Sequence, residues 1–390
     1  MNLTITPTWL SGAVTPPPSK SQAHRYLIAA ALAGEGSAVR ALADSQDIQA
    51  TRRCMEKLKT NSHFFPHLDC GESGSTLRFL IPLALVLRRG GVFTGRGRLM
   101  ERPQKPYFDL FDEKGVRYEQ GDGMLAVEGT LPPGVYRLPG NVSSQFITGL
   151  LYALPLLEGD SEIVLTTRLE SRSYVDMTLE ALDRFGVKVE RRPGAFLIPG
   201  RQSYVPAEVQ VEADWSQGAF WLAAGSLGSS VSVEGLRPNS LQGDRVIAAH
   251  LARLEGPGEA EIDVSDCPDL LPPLAAVAAL RQGTTHLTNA ARLRIKESDR
   301  LAAVAAALTA LGADAEERPD SLTIRGRASL AGGRVDCCND HRVAMMAAVA
   351  AVRCRGPVTL LGAECVAKSY PDFWEHYRLL GGKIHEHTGE

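Results

Sequence analysis

The sequence predicts an α/β protein of two similar domains, each made of three small units of two helices and about four strands. At 390 residues the chain exceeds one ordinary hydrophobic core. Along it recurs a helix ending in glycine, followed by an alternating strand, a turn and a second strand. The helix ends fall near residues 58, 115, 186, 254, 312 and 381. That spacing, roughly sixty-five residues, is longer than solenoid periods, so each repeat is a small packed layer.

Taken in order, Pro16 to Pro18 fix an extended approach to a helix that begins in SKSQAHR (19–25). MEKLKTNSHFFPHLDCG (55–71) carries a helix end but leaves little room for a hairpin. LRFLIPLAL follows as an apolar helix in which Arg78 reads as structural. LFDEKGVRYEQGDGMLAVEG (110–129) is the first full copy of the repeat, with GDG as its turn. Gly115 sits where the residue after a helix turns left-handed, as do Gly186 and Gly312 in the later copies. VSSQF opens a helix whose first N–H groups and hydroxyls suit an anion, and IVLTT (163–167) reads as a strand.

LDRFGVKVERRPGAFLIPG (182–200) is the second full copy, its first strand starting at the alternating Val187 and Val189. A helix spans Gln217 to Gly225, and LARLEGPGEAEIDVSDC (251–267) again lacks room for a hairpin. Asp269, before the apolar LLPPLAAVAAL, holds a position typical of an N-cap. LTALGADAEERPDSLTIRG (308–326) is the third full copy. Cys337 and Cys338, in VDCCN, read as ordinary buried thiols. Val343 to Val352 is too short to span a membrane and reads as a buried helix. LLGGKIHEH (379–387) closes the chain after one strand.

Composition narrows the function. A formal net charge of −3 argues against non-specific nucleic-acid binding. Seven cysteines without a CxxC pair suggest reduced thiols and a cytoplasmic protein. They offer no metal site, and His385 and His387 read as solvated rather than as ligands. Met1 to Val14 has no signal-peptide pattern.

RLRIKESDR (292–300) packs four cations and two carboxylates into nine positions. Taken alone it could be a solvated helix face. Cations beside hydroxyl or glycine residues recur, however, in SKSQAHR, GESGSTLR (71–78), TGRGRLMERP (94–103), SRSY (171–174), NDHR (339–342) and AKSY (367–370). Such groups suit a ligand with several anionic oxygens. With neither a P-loop nor GxGxxG present, a nucleotide is not the expected ligand.

The strings PPSKSQAHR, ESGSTLRFL, GRGRLMERP, GNVSSQFITGLL, SRSYVDMTL, NSLQGD, CPDLLPPLA, RIKESDRLAA, NDHRVAMM and AKSYPDFW run in order from residue 17 to 374. In them the chain resembles the 5-enolpyruvylshikimate-3-phosphate (EPSP) synthase family nearly end to end. The resemblance implies two domains, each a pseudo-threefold arrangement of βαβαββ units, an inside-out α/β barrel. The first would comprise residues 1–18 plus 213–390 and the second 19–212, with the active site in the interdomain cleft. Two features depart from the family. The units ending near Leu58 and Leu254 look short by a hairpin, and Glu72 stands where many members carry Asn or Asp.

The implied reaction moves an enolpyruvyl group from phosphoenolpyruvate to the 5-hydroxyl of shikimate 3-phosphate, in the pathway to chorismate and aromatic amino acids. Carbon 3 is protonated as the hydroxyl adds at carbon 2, and the tetrahedral ketal then loses phosphate. This needs cations for two anions, a general acid, a general base and exclusion of water. It implies no cofactor and no metal. By resemblance, shikimate 3-phosphate is held by Lys20, Ser21, Arg25, Ser143, Ser144, Gln145, Ser171, Tyr174, Asp269, Lys296 and, weakly, Arg292. Phosphoenolpyruvate is held by Lys20, Gly74, Arg98, Gln145, Arg300, Arg342 and Lys368. Asp269 is the base toward the 5-hydroxyl, and either Glu297 or Lys20 delivers the proton to carbon 3. Glyphosate occupies the phosphoenolpyruvate site in many members, so a methyl added at Gly74 should weaken it.

Two other readings compete. A UDP-N-acetylglucosamine enolpyruvyl transferase shares the architecture but uses a cysteine on a glycine-rich loop, and Cys54 and Cys70 lie in other contexts. A non-catalytic module binding anions or RNA ends would not need the full set of acid, base and cations. The expected partners are therefore two small molecules, with no nucleic acid and no membrane, acting on a monomer.

Overall fold

The computed structural model describes residues 1–60 and 65–387. Two compact units divide the chain: a terminal unit, Met1–Ser19 with Glu212–Glu390, and a central unit, Lys20–Val211. The first strands are β1 (Asn2–Thr6) and β2 (Ser11–Val14), before the chain enters the central unit at α1 (Lys20–Ala33). Next come β3 (Ala38–Arg40), α2 (Gln46–Lys59) and β4 (His67–Asp69). The first complete hairpin follows α3 (Gly74–Arg88), β5 (Gly90–Thr94) and α4 (Lys105–Lys114), as β6 (Arg117–Gly121) and β7 (Met124–Glu128). Asp122 and Gly123 both turn left-handed between these strands, the pairing a two-residue hairpin loop needs.

The second complete set is β8 (Gly134–Leu138), α5 (Ser144–Ala153), β9 (Ser161–Leu165), α6 (Arg172–Arg184), β10 (Glu190–Arg192) and β11 (Ala195–Ile198). β12 (Glu208–Gln210) ends the central unit. The terminal unit resumes with α7 (Trp215–Ser226), β13 (Ser230–Val233) and α8 (Ile247–Leu254). Then come β14 (Ala260–Asp263), α9 (Leu271–Leu280), β15 (Thr284–Thr288), α10 (Arg300–Ala310), β16 (Asp314–Glu317) and β17 (Leu322–Arg325). The last set is β18 (Gly333–Asp336), α11 (His341–Ala350), β19 (Val358–Leu361), α12 (Phe373–Leu379) and β20 (Lys383–His387).

Four sheets share one plan: β4-β5-β7-β6, β8-β9-β11-β10, β14-β15-β17-β16 and β18-β19-β1-β20. In each, the first two strands are parallel across a helix and the other two are antiparallel. In the last sheet the N-terminal strand β1 takes the central place beside β20, with Leu3 opposite Leu360 and Glu386. The remaining sheets have two strands each, β12 parallel to β3 and β2 parallel to β13. These are the positions where a hairpin is missing after α2 and α8. Within the short segment 55–71, residues 61–64 lie outside the described residues. Because the chain leaves and re-enters the terminal unit, these two repeats exchange first strands: β2 precedes α1 but pairs with β13, while β12 precedes α7 but pairs with β3.

The most buried helices are α3 and α5 in the central unit and α9 and α11 in the terminal unit. All ten residues of α9 are buried, as are all ten of α11. A helix apolar on every face belongs in a core. Strands alternate instead, as in β1, where Leu3 and Ile5 are buried and their neighbours point outward. Gly115, Gly186 and Gly312 adopt the expected left-handed backbone at φ +71°, +78° and +90°. No helix among the described residues is long and apolar enough to cross a membrane.

Candidate active site

The candidate residues concentrate at helix starts. In the central unit, Lys20 opens α1, Gly74 opens α3, Ser143 caps α5 and Ser171 precedes α6. In the terminal unit, Arg300 opens α10 and Arg342 is second in α11. Helix N-termini carry unpaired N–H groups and a partial positive charge, so an anion is favoured there before any side chain is counted.

In the terminal unit, Asp269 lies in a short 3-10 turn, Pro268–Leu270, and does not cap α9 as its sequence position suggests. Its carboxylate accepts hydrogen bonds from Arg300 Nη1 at 2.8 Å and Arg342 Nη2 at 3.2 Å, with Lys296 Nζ at 3.5 Å. Arg300, 1% exposed, spreads its fork over three carboxylates. Nε donates to Asp340 Oδ2 at 2.8 Å, Nη1 to Asp269, and Nη2 to Glu297. Asp340 caps α11 through Arg342 N–H at 3.0 Å and also accepts from Ser298 Oγ at 3.0 Å. Asp269, Lys296, Glu297, Arg300 and Arg342 thus form one connected cluster. Lys368 Nζ donates to the Asn339 carbonyl at 2.6 Å, beside Asp340. Arg292 instead reaches the Ser265 carbonyl.

Burial alone would raise the Asp269 carboxyl, but Arg342, Lys296 and Arg300 together outweigh it and hold it well below the carboxylate range. Burial would likewise lower Arg300, but Asp340, Glu297 and Asp269 hold it above its ordinary value. Asp244, the last residue of NSLQGD, behaves in the opposite way. Burial, then the negative charge of Asp269, push it up to about 7, and its Oδ1 has no hydrogen-bond partner.

In the central unit, Lys20 Nζ pairs with Asp47 Oδ2 of α2 at 2.9 Å. Arg25 is buried and tied to α6: Nε donates to Thr178 Oγ1 at 2.9 Å and Nη2 to the Tyr174 carbonyl at 2.9 Å. Its Nη1 donates to the Ser21 carbonyl at 2.6 Å. Burial lowers its pKa to about 10, which leaves it charged at neutral pH. Ser143 Oγ accepts from Gln145 N–H at 3.3 Å, and Ser144 is buried beside it. Gln145 is clamped between Arg78 Nη1 at 2.8 Å and Ser75 Oγ at 3.1 Å. Ser171 is buried with φ +53°, a costly backbone for a residue with a Cβ.

Arg98 makes no contact with these residues among those described. Its side chain is 46% exposed and leans toward Glu101 at 3.6 Å. Four residues on, Arg102 is buried, and a Cβ placed on Gly74 would lie 2.6 Å from its Nη1. Its Nε has no hydrogen-bond partner. The sequence reading missed Arg102, Asp340, Asp244 and Asp47, although all but Asp47 stand in its matched strings. It also expected Cys338 to be buried; Cys338 is exposed at φ +50°, in the turn before α11, and only Cys337 is buried. Among the described residues no cluster of three His, Cys, Asp or Glu side chains could hold a metal ion.

His24, between the candidate residues of α1, gives a pH signature. Burial, then the charges of Lys20 and Arg25, lower its pKa well below the ordinary 6.5. The unfolded chain therefore takes up a proton that the folded chain refuses. Stability is full above the unfolded pKa and falls as pH drops below it, by up to about 1.4 kcal/mol per pH unit. Urea unfolding at pH 7.5 and 5.5 is expected to show a smaller loss for His24→Asn than for wild type. An equal loss in both would mean that His24 is protonated in the folded protein.

The sequence profile of the family described as EPSP synthase (3-phosphoshikimate 1-carboxyvinyltransferase) matches residues 5–377. The chain is 46% identical over 418 residues to the 3-phosphoshikimate 1-carboxyvinyltransferase of Clostridium acetobutylicum, covering 98% of both chains. It is 46% identical over 419 residues to that of Clostridium kluyveri, with the same coverage. Among solved structures it is similar in fold to an EPSP synthase from Acinetobacter baumannii, with a TM-score of 0.78 at 24% identity over 99% of this chain and 100% of that one. The enolpyruvyl transferase NikO from Streptomyces tendae is similar in fold too, with a TM-score of 0.78 at 18% identity over 100% of this chain and 99% of that one.

Proposed function

The chain belongs to the EPSP synthase family, and from that premise we infer which of its residues carry the reaction. The protein transfers the enolpyruvyl group of phosphoenolpyruvate to shikimate 3-phosphate, a step of the shikimate pathway. The observation that most supports the residue assignment is the Asp269 carboxylate held by Arg300, Arg342 and Lys296, with Glu297 on the same Arg300 fork. In this reading the two carboxylates are the proton-transfer groups and the cations around them bind the anionic substrates.

Asp269 takes the proton of the 5-hydroxyl as that oxygen attacks carbon 2. Its low basicity in the empty site is a consequence of the cations around it. Phosphoenolpyruvate brings a carboxylate and a phosphate that compete for Arg300, Arg342 and Lys368, which frees Asp269 to act as a base. Glu297 or Lys20 delivers the proton to carbon 3, and the same cations stabilise phosphate as it leaves. In the central unit, Arg25, Ser21, Ser171, Tyr174, Ser143 and Ser144 hold shikimate 3-phosphate. Lys20 and Gln145 serve both substrates. A formal net charge of −3 and free thiols support a cytoplasmic protein without a nucleic-acid partner; we take it to act as a monomer, and sedimentation at 42.0 kDa tests that.

Burial and contact with Gly74 favour Arg102 over Arg98 as the phosphoenolpyruvate cation. Arg102→Ala is expected to raise the KM for phosphoenolpyruvate by about tenfold or more, as loss of a charge-assisted hydrogen bond does. Arg98→Ala should change it less than about twofold, as for an exposed charge. Gly74→Ala should displace the Arg102 guanidinium and weaken glyphosate more than phosphoenolpyruvate. Steady-state kinetics on the three variants tests the assignment; equal effects at Arg98 and Arg102 would reverse it. The substrate itself is tested by phosphate release with shikimate 3-phosphate against UDP-N-acetylglucosamine. Release with the nucleotide sugar alone would refute the function.

A further inference from the structure

Three helices of the central unit are joined by a buried chain of hydrogen bonds that includes none of the substrate-binding side chains named above. His24 Nδ1 on α1 lies 2.7 Å from Thr51 Oγ1 on α2. Thr51 Oγ1 lies 2.7 Å from Thr76 Oγ1 on α3. Thr76 Oγ1 donates to Ser73 Oγ at 2.7 Å, and the same Ser73 oxygen caps α3 by accepting Thr76 N–H at 3.1 Å. All four side chains are buried.

The direction of this chain fixes the state of its histidine. Each hydroxyl has one hydrogen to give. Thr76 gives its hydrogen to Ser73, so Thr51 must donate to Thr76. The only hydrogen left for the contact between His24 and Thr51 is on the imidazole. His24 is therefore neutral with its proton on Nδ1, and Nε2 carries a bare lone pair. That nitrogen is buried and has no hydrogen-bond partner, so the other tautomer would bury an unpaired N–H donor in its place. Burial and the nearby Lys20 and Arg25 charges also disfavour a second proton.

An apolar side chain would fill this space without leaving an acceptor unpaired, so packing alone gives no reason for a histidine here. The ends of the chain supply one. His24 lies one turn beyond Lys20 and directly before Arg25. Its partner Thr51 lies one turn beyond Asp47, which pairs with Lys20. Lys20–Asp47 and His24–Thr51 thus form two rungs between α1 and α2. At the other end, Ser73 directly precedes Gly74, against which Arg102 rests, and Ser75, which holds Gln145.

We propose that His24 is a positioning residue for the transfer. Its Nδ1–H anchors a directed relay that sets the first turn of α1, which holds shikimate 3-phosphate, against the start of α3, which holds phosphoenolpyruvate. The proposal rests on the site assignment made above. The relay needs a donor at one position and no charge, and an asparagine amide supplies both.

The test uses the full chain and three variants. ¹⁵N NMR of the His24 ring at pH 7 should show a protonated Nδ1 and an unprotonated Nε2. His24→Leu and Thr51→Val, each of which severs the relay, should raise the KM for phosphoenolpyruvate by about five- to tenfold, the scale of one buried hydrogen bond. Their kcat should stay within about twofold, because the acid and base are intact. His24→Asn should restore KM to within about twofold of wild type. A purely structural role would lower melting temperature and the active fraction without moving KM, and would give Asn no advantage over Leu. An Nε2–H tautomer, unchanged KM in both severed variants, or equal impairment of Asn and Leu would each overturn the proposal. Lys20→Met and Arg25→Met separate the two levels. If they also leave both KM values unchanged, the site assignment has failed; if they raise KM while the severed variants do not, the relay has.

Discussion

Asp269→Asn is expected to lower kcat by roughly a hundred- to ten-thousandfold, the range typical of a lost general base, while the protein stays folded. The asparagine keeps the shape and its one carbonyl oxygen can still accept from Arg300 or Arg342, but its NH2 group faces the other cation and cannot take the hydroxyl proton. It also leaves those cations less neutralised, so phosphoenolpyruvate should bind as well as to wild type or better. That combination separates a base from a structural carboxylate, whose loss would impair binding and kcat together. Glu297→Gln should lower kcat on the same scale if Glu297 is the acid, and little if Lys20 is. Rapid-mixing kinetics with both substrates saturating reads these effects. Near-wild-type turnover of Asp269→Asn would remove it from the mechanism.

Arg300→Met is expected to cost about 3–5 kcal/mol of stability at pH 7, as breaking one partner out of a buried ionic cluster does. Asp269, Glu297 and Asp340 would be left close together with their shared cation gone. In wild type the Asp269 pKa is depressed, so its contribution is present above the unfolded carboxylate pKa and is lost as pH falls through the folded value. In the variant the carboxylates protonate more readily, and the stability gap from wild type should narrow between pH 7 and pH 4. Arg300→Lys should recover only part, because an ammonium cannot fork across three carboxylates. Urea unfolding of the three proteins at both pH values measures this. A gap that widens on acidification would mean that Arg300 is not the counterion of the cluster.

The repeat architecture was legible because its signals are local. Glycines at 115, 186 and 312 end helices on backbones a Cβ would strain, and each is followed by strand alternation. The exchange of first strands between the two short repeats was not legible, since strand pairing across about two hundred residues leaves no local trace. Strand starts also failed locally. Alternation at Val187 and Val189 predicts a strand from 187, yet β10 begins at Glu190 because Gln202 pairs with both backbone groups of Lys188. At the site, Asp269 has the sequence of an N-cap, and three cations distant in sequence take its side chain instead. Arg98 and Arg102 are both arginines of one matched string. What separates them is the 3-10 turn Leu99–Glu101, which leaves the first outside and buries the second. No pattern of residue types announces that turn.

The central claim is that carbon 3 of phosphoenolpyruvate gains a proton as the hydroxyl adds and that a proton is then lost again as phosphate leaves. It is tested most directly by running the reaction in D₂O and analysing the product and the recovered phosphoenolpyruvate by proton NMR. The account predicts deuterium at carbon 3 in the vinyl product, only when shikimate 3-phosphate is present, and at a strongly reduced rate in Asp269→Asn. Product formed at the normal rate with no deuterium at carbon 3 would contradict it.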